Sequence, residues 1–201
     1  IKYYIREGLL PPGTATAANQ ADYSDDHLGR LRLIRALIDV GNLPIVNVRN
    51  VLAAVDDDDT ALHDAFGSVM HSISGPSHAP RSPEVQAIRI EVDRWVKRRR
   101  WEIRPEAPAL DAIAELLVTL HQFNFPITIN DVNAIADAAE PTAAVEVEYA
   151  RAMQGRAAAV ETMVIGTLVV ERLTAEVRRL ALEAASARLD KVKRTRRKRA
   201  G

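Results

Sequence analysis

The chain has 201 residues, of which 47% are hydrophobic and 27% charged, so it can build one large domain or two small ones around a buried core. This composition excludes disorder throughout, and the lack of a long uncharged apolar run excludes a membrane span. The absence of cysteine excludes disulfides, a thiolate nucleophile, an iron–sulfur cluster and thiolate sites for zinc, copper or mercury. Because the chain carries no secretory or transit signal, we expect a cytoplasmic protein with no membrane partner.

Charge is distributed unevenly, although the formal net charge is zero. Seven of the 27 basic residues lie within residues 191–201, which leaves 20 basic and 27 acidic side chains in residues 1–190. We therefore expect a mildly acidic folded body followed by a basic tail. Such a tail can touch phosphate, but a run of this kind is more often a solvated chain end, and the sequence leaves its role open.

The hydrophobic pattern predicts an all-α fold with at most a short β-hairpin. Residues 1–10 look like the end of a helix that Pro11 and Pro12 stop. Ile1 has no initiator Met before it and starts inside this helix, so we expect the natural protein to have residues ahead of it. The small polar run 14–23 is the only candidate for strand.

Three helices are predicted next. Ser24 caps the first, which ends at Gly41 as the expected C-terminal cap residue. The second runs from Ile45 to Val55. The third covers residues 61–73 and carries an apolar face.

Residues 74–83 hold three prolines and one glycine and are predicted to form a linker between domains. Beyond it, helices are predicted near residues 84–102, 107–123, 129–139, 141–153 and 156–189. Pro141 is expected to start a new helix, because proline is favoured in the first helical turn.

The last predicted helix carries an apolar heptad seam. The seam consists of Met163, Gly166, Val170, Leu173, Val177, Leu180 and Ala184. A seam of this length packs either inside its own domain or across a dimer axis, and the pattern does not choose between the two. We assign it to dimerisation as a hypothesis.

The N-terminal phrases occur in the order of a known family. The run Ile1-Lys-Tyr-Tyr-Ile-Arg-Glu-Gly-Leu-Leu-Pro-Pro12 resembles the end of the recognition helix in the MerR family of bacterial transcription regulators, I-R-Y-Y-E-R-x-G-L-L followed by Pro. Tyr23 to Leu37 is similar to the family's third helix, Y-x-x-x-x-L-x-x-L-x-x-I. Gly41 to Leu52 is similar to its turn and fourth helix, G-x-S-L-x-x-I-x-x-L-L. The resemblance covers residues 1–73.

The resemblance implies a winged helix-turn-helix, with the first helix, half of the recognition helix and the base-reading residues lying before Ile1. Family members bind palindromic double-stranded promoter DNA as homodimers, and they act on RNA polymerase indirectly by deforming the promoter. The remainder of the chain would sense a signal. Because the chain has no thiolate ligand, we expect a small organic effector and no cofactor.

Carried over by position, the resemblance places Lys2, Tyr3, Tyr4 and Arg6 on phosphate-contacting positions, and Tyr23 on the tyrosine that closes the first wing. We expect one of the two adjacent tyrosines to pack under the wing and leave open which one. The family's wing often carries arginines, but this wing offers neutral groups instead. The candidate wing contacts are Thr14, Asn19 and Gln20. We expect four nearby arginines either to supply the positive charge that the wing lacks or to pair with nearby acids. They are Arg30, Arg32, Arg35 and Arg49.

The scarce aromatic residues of the C-terminal half are candidate ligand contacts, with core packing as the alternative. The candidates are Trp95, Trp101, His121, Phe123, Phe125 and Tyr149. On one continuous helix the two tryptophans would point about 120° apart, so they would not share a narrow pocket. The run 97–100 is expected to be a solvated basic face answering Glu102 and Glu106.

No metal-binding histidine pair, phosphate loop or nucleophile elbow is present, so we expect neither a metal site nor an enzyme. The predicted domain map is 1–58 for the end of the winged helix-turn-helix, 59–73 for a connecting and dimerisation helix, 74–83 for a linker, 84–190 for a helical effector-binding and dimerisation domain, and 191–201 for the basic tail. The alternative function is a helical protein that binds or sequesters a small molecule without binding DNA.

Overall fold

The computed structural model describes residues 1–17, 20–57, 59–74 and 82–200, without the side chains of residues 190 and 192–200. The elements in chain order are α1 (Lys2–Arg6), β1 (Thr14–Ala17), β2 (Gln20–Asp22), α2 (Asp25–Arg35) continued by a π-helical turn (Ala36–Val40), α3 (Ile45–Asp56), α4 (Leu62–Ser74), α5 (Pro83–Arg99), α6 (Pro108–Gln122), α7 (Val132–Arg151) and α8 (Arg156–Ala200). The predicted all-α class with one short hairpin is confirmed.

The hairpin is antiparallel, with Thr14 opposite Asp22, and every residue of its two strands is exposed. Gly13 allows the hairpin to close. A Cβ at this position would lie 2.6 Å from the carbonyl oxygen of Asp22 and 3.0 Å from the ring of Tyr23. The hairpin therefore projects from the protein as a wing and adds nothing to either hydrophobic core.

A first hydrophobic core joins the N-terminal elements to the beginning of α8. Its fully buried side chains from the N-terminal elements include Leu33, Ile34, Leu37, Val48, Val51 and Val69. From the C-terminal part of the chain it receives Ala150, Ala159, Val160, Met163, Val164 and Leu168. The start of α8 is thus an integral part of the N-terminal unit.

A second hydrophobic core lies between α5, α6 and the beginning of α7. Its members include Val92 and Trp95 of α5, Leu110, Ala114 and Leu117 of α6, and Ala136 of α7. The helices that form it follow one another directly along the chain.

The boundary between the two cores does not coincide with the linker that the composition of the chain predicts. Residues 150–168, which the sequence assigned to the C-terminal domain, pack into the first core because the chain returns to the N-terminal unit after building the second one. The proline-rich run predicts a break in regular structure from local composition, whereas core membership depends on where the chain returns. Of the predicted linker, residues 75–81 lie outside the described residues.

α7 is one helix, so the prediction of two helices that separate at Pro141 is wrong. Proline lacks an N–H to donate and costs about 3 kcal/mol inside a helix. High helix propensity on both sides of the proline offsets this cost, because residues 138–139 and 143–144 are all alanine, the strongest helix former, and no glycine interrupts the run. The hydroxyl of Thr142 also donates to the carbonyl oxygen of Ala138 at 3.4 Å.

The helix that begins after Ser24 ends at Gly41, but this glycine has a role different from the predicted one. Its φ is −76°, and the left-handed residue is Asn42, with a φ of 51°. A Cβ on Gly41 would lie 2.7 Å from the carbonyl oxygen of Leu37 and 2.9 Å from Cδ2 of Leu168. Gly41 therefore allows α8 to approach the π-helical turn closely.

We expect Gly41→Ala to lower the free energy of unfolding by about 1–3 kcal/mol, because the added methyl group meets backbone that cannot move aside. The matched control is Gly29→Ala, inside α2, where a Cβ meets nothing within 4 Å. That change should raise the free energy of unfolding by about 0.5–1 kcal/mol through helix propensity. Urea denaturation of both variants checks the pair, and equal effects would contradict the close approach of α8.

Candidate functional sites: a DNA-binding surface and two cavities

α1 presents polar and aromatic side chains to solvent. Lys2 and Arg6 are exposed, and the Arg6 guanidinium carbon lies 5.5 Å from the centroid of the Tyr3 ring. Tyr3 is 45% exposed, whereas Tyr4 packs against the first core. Of the two tyrosines, Tyr3 is therefore the more exposed, and Tyr4 is the one that packs.

The end of the wing is anchored to the start of α2. The backbone N–H of Ser24 donates to Nδ1 of His27 at 3.2 Å, and the Ser24 hydroxyl lies 2.9 Å from the same nitrogen. The rings of Tyr23 and His27 meet edge to face, with centroids 5.4 Å apart. Thr14 and Gln20 are exposed on the hairpin, and Asn19 lies outside the described residues.

Three of the four arginines considered as compensation for the neutral wing are held by acids. Arg30 forms a bidentate pair with Asp56, Arg35 pairs with Asp39 at 3.1 Å, and Arg49 lies 3.8 Å from Glu7. Arg30 also donates to the carbonyl oxygen of Leu9 at 3.0 Å, so it fastens α2 to the turn after α1. Arg32 is exposed.

The two tryptophans pack against each other, so the expectation that they diverge is wrong. α5 ends at Arg99, and Arg100 takes a left-handed φ of 59°, which turns the chain back. The ring centroids of Trp95 and Trp101 are then 5.1 Å apart in an edge-to-face arrangement. The 120° separation applies only to a continuous helix.

Polar groups around this pair fasten α5 to α7. The indole of Trp95 donates to Oδ1 of Asn133 at 2.9 Å, and that of Trp101 donates to Oε1 of Glu140 at 2.6 Å. Arg99 donates to both Asp137 and Glu140. These hydrogen bonds raise the pKa of Arg99 and, through the donation from Arg99, lower the pKa of Glu140. The cluster is a structural clamp, and Arg99 pairs with α7 and not with Glu102 or Glu106 as the sequence suggested.

The structure does not bring the other aromatic candidates together with the tryptophans. Phe123 is 79% exposed at the end of α6, and Phe125 is also exposed. A ring nitrogen of His121 lies 2.9 Å from the carbonyl oxygen of Ile127, and Tyr149 is exposed on α7. In the part of the chain that the structure describes, none of the six aromatic and histidine candidates lines either of the two large cavities.

The first of these cavities has a volume of about 530 Å³ and was not predicted from the sequence. Its walls come from α4, the connection between α5 and α6, α7 and α8. The apolar lining includes Phe66, Met70, Ile103, Val147 and Met163, and the polar lining includes His63, His71, Arg104, Glu146 and Arg151. Because these residues are far apart in sequence and mostly helix-forming, no local pattern marks them as a site.

The second cavity, of about 660 Å³, is a groove between α7 and α8. Small side chains, among them Ala134, Ala138 and Thr174, form most of its lining. It shares Ala143, Glu146 and Thr167 with the first cavity. The two cavities therefore adjoin at one short stretch of α7 and α8.

Comparison with known proteins gives the family. The sequence profile described as MerR HTH family regulatory protein matches residues 1–55. The crystal structure of SCO5550 from Streptomyces coelicolor A3(2), assigned as a transcriptional regulator, is 31% identical in sequence, with a TM-score of 0.71. The match covers 93% of this chain and 88% of SCO5550. The chain belongs to the MerR family. No curated protein sequence matches it.

The match to the MerR profile ends at the close of α3, whereas the likeness to SCO5550 continues through the C-terminal helices. The family of the profile and SCO5550 are both described as regulators. Within the described residues of this MerR protein, no group of three or more histidine, aspartate or glutamate side chains could hold a metal ion. No helix in the same residues is long and apolar enough to cross a membrane.

The heptad seam of this MerR protein divides along α8. Met163 is buried in the first core. Gly166 faces α7, and a Cβ placed on it would lie 3.8 Å from Oε2 of Glu146. Val170 lines the groove between α7 and α8. Farther along, Leu173, Val177 and Leu180 are all more than half exposed. The first half of the seam therefore packs inside the protomer. In the second half Val177 borders the same groove, and its exposed apolar side chains belong to neither core of the described residues.

Proposed function

We propose that this MerR-family regulator binds palindromic promoter DNA as a homodimer, with the surface of α1 and the wing holding the phosphates. The observation that carries this proposal is the exposed set of Lys2, Tyr3 and Arg6 on the helix directly before the wing. Lysine and arginine supply charge to phosphate, and a tyrosine hydroxyl supplies a neutral hydrogen bond. The groups position the protein on the duplex, while sequence is read elsewhere.

The wing completes the proposed surface with neutral contacts. Thr14, Gln20 and Tyr23 are exposed, as phosphate contacts require, and Asn19 is proposed from its position in the sequence alone. Arg6 also lies near an acid, 3.7 Å from Glu7, but its side chain is 74% exposed. We therefore assign most of the charge in the proposed contact to Lys2 and Arg6 of α1. The dependence of affinity on salt should therefore be moderate for each protomer.

We propose further that the helices after α4 sense a small organic molecule and that the DNA-bound protein acts on RNA polymerase through the shape of the promoter. The proposed division keeps residues 1–58 as the DNA-binding part and 84–190 as the sensing and dimerisation part, with α8 shared by both. The absence of cysteine supports an organic effector over a thiophilic metal.

We expect Arg6→Ala to weaken binding about equally on selective and unrelated DNA. It should also reduce the slope of log affinity against log salt concentration by about one per protomer, since one phosphate contact disappears. Fluorescence anisotropy of the full-length protein, titrated with salt on the DNA upstream of its own gene, measures both effects. The control is Arg179→Ala, because Arg179 pairs with Glu176 on the far part of α8.

An unchanged salt slope in the Arg6 variant would contradict the proposed phosphate contact. If the wild-type protein shows no selective binding at any salt concentration, the DNA-binding proposal fails. The alternative, a helical protein that sequesters a small molecule in the cavities described above, would then be the better account.

A further inference from the structure

The 530 Å³ cavity lies where the two hydrophobic cores meet. Phe66 of α4 and Met163 of α8 belong to the first core, whereas Ala107, before α6, belongs to the second. A molecule in this cavity would touch the N-terminal unit and the C-terminal helices at the same time. The volume falls within the range of about 300–1,000 Å³ that is usual for small-molecule sites.

Two carboxylates line the cavity, and Glu146 is the one withdrawn from solvent, since Glu102 is exposed. Glu146 is half-buried on α7, and among the described residues no hydrogen bond or ion pair reaches its carboxylate. Its Oε2 lies 3.8 Å from the position that a Cβ on Gly166 of α8 would take. Burial raises the pKa of Glu146, which reflects the missing partner.

The cations of the cavity do not fill this role. The guanidinium of Arg104 pairs with Asp64 and also donates to the Asp64 carbonyl oxygen at 3.2 Å. Arg151 is exposed, so solvent screens its charge. The Glu146 carboxylate is therefore a half-buried negative charge of the lining that neither arginine neutralises.

The rest of the lining is mostly apolar. Met70, Ile103 and Val147 join Phe66 and Met163 in forming surfaces for a hydrocarbon body. The Thr167 hydroxyl has a weak contact with the sulfur of Met70 at 3.7 Å and can donate to or accept from a ligand. A partner for this cavity needs a hydrophobic body and one positive charge.

We propose that this cavity is the effector site and that it takes a hydrophobic organic amine whose ammonium group pairs with Glu146. That the amine acts as an effector rests on the proposed function, whereas binding of the amine to the cavity does not depend on DNA. Glu146 also lines the groove between α7 and α8, so a longer amine could place its hydrocarbon part in either cavity.

The test uses three probes that share a hydrocarbon body and differ in charge: diphenylpropylamine, diphenylpropanol and diphenylpropionate. Isothermal titration calorimetry of the full-length protein should show the amine binding about tenfold more tightly than the alcohol, and the carboxylate most weakly. Glu146→Gln should reduce the affinity for the amine to that for the alcohol and leave the alcohol unchanged. Glu148→Gln, an exposed glutamate on the same helix, is the matched control.

The inference is overturned if none of the three probes binds, if the amine binds no better than the alcohol, or if Glu146→Gln keeps the preference for the amine. Repeating the titration with promoter DNA separates it from the proposed function. Selective DNA binding without a preference for the amine overturns the inference alone. A Glu146-dependent preference without any DNA binding supports the cavity and overturns the proposed regulator.

Discussion

Replacing Leu168 by alanine is expected to lower the free energy of unfolding by about 2–5 kcal/mol. Leu168 is 4% exposed and lies on α8, more than one hundred residues after most of its partners in the first core. Its side chain meets the backbone at Gly41, where no Cβ intervenes. Removing three carbon atoms leaves a cavity that the π-helical turn and α8 cannot close without losing other contacts.

The control for Leu168→Ala is Leu182→Ala, on the same helix but 54% exposed. It should change the free energy of unfolding by less than about 0.5 kcal/mol. Urea denaturation at one fixed protein concentration measures both variants, since the stability of a dimer depends on concentration. If the two substitutions cost the same, α8 does not form part of the first core.

Replacing Leu180 by arginine is expected to weaken self-association about thirtyfold or more, because a charge at the centre of an apolar contact removes the packing and adds a desolvation cost. Leu180 is 67% exposed in the protomer and shares one face of α8 with Leu173 and Val177. The folded protomer should be nearly as stable as the wild type, since Leu180 belongs to neither hydrophobic core and its replacement removes no core packing. Affinity for palindromic DNA should fall with the dimer.

Sedimentation equilibrium gives the dissociation constant of the dimer for this comparison. Leu182→Arg is the matched control, because position 182 is exposed but lies off the face that carries Leu173, Val177 and Leu180. The seam is rejected as the dimer contact if Leu180→Arg leaves the dissociation constant unchanged, or if both variants weaken it equally.

Most of the N-terminal part could be predicted because its signals are local. Ser24 followed by two aspartates caps a helix, Pro11 and Pro12 end one, and a small polar run between them can form only a hairpin or loop. The same phrases carry the family resemblance, which the comparisons confirm. Local chemistry also explains why the predicted helix ends mostly fall within a few residues of the observed ones.

The errors arose where a local rule was overridden by its immediate neighbours, or where distant parts of the chain decide the outcome. Pro141 was expected to start a helix, but alanines on both sides carry the helix through it. The tryptophan pair depends on a left-handed residue at Arg100, which no sequence rule for arginine predicts. The cavity at Glu146 needs four separate segments to meet, so neither its apolar lining nor its unpaired carboxylate is visible in any one of them.

The packing of α8 into the first core affects how this protein could be recombined with others. A sensor module is usually exchanged by cutting the chain at a linker, and here the proline-rich run would be the obvious place to cut. A chimera made there would lose Ala159 to Leu168 and leave the N-terminal unit with an open apolar face. The N-terminal unit is therefore discontinuous, made of two stretches of chain, and the helices of the second core form an insertion between them.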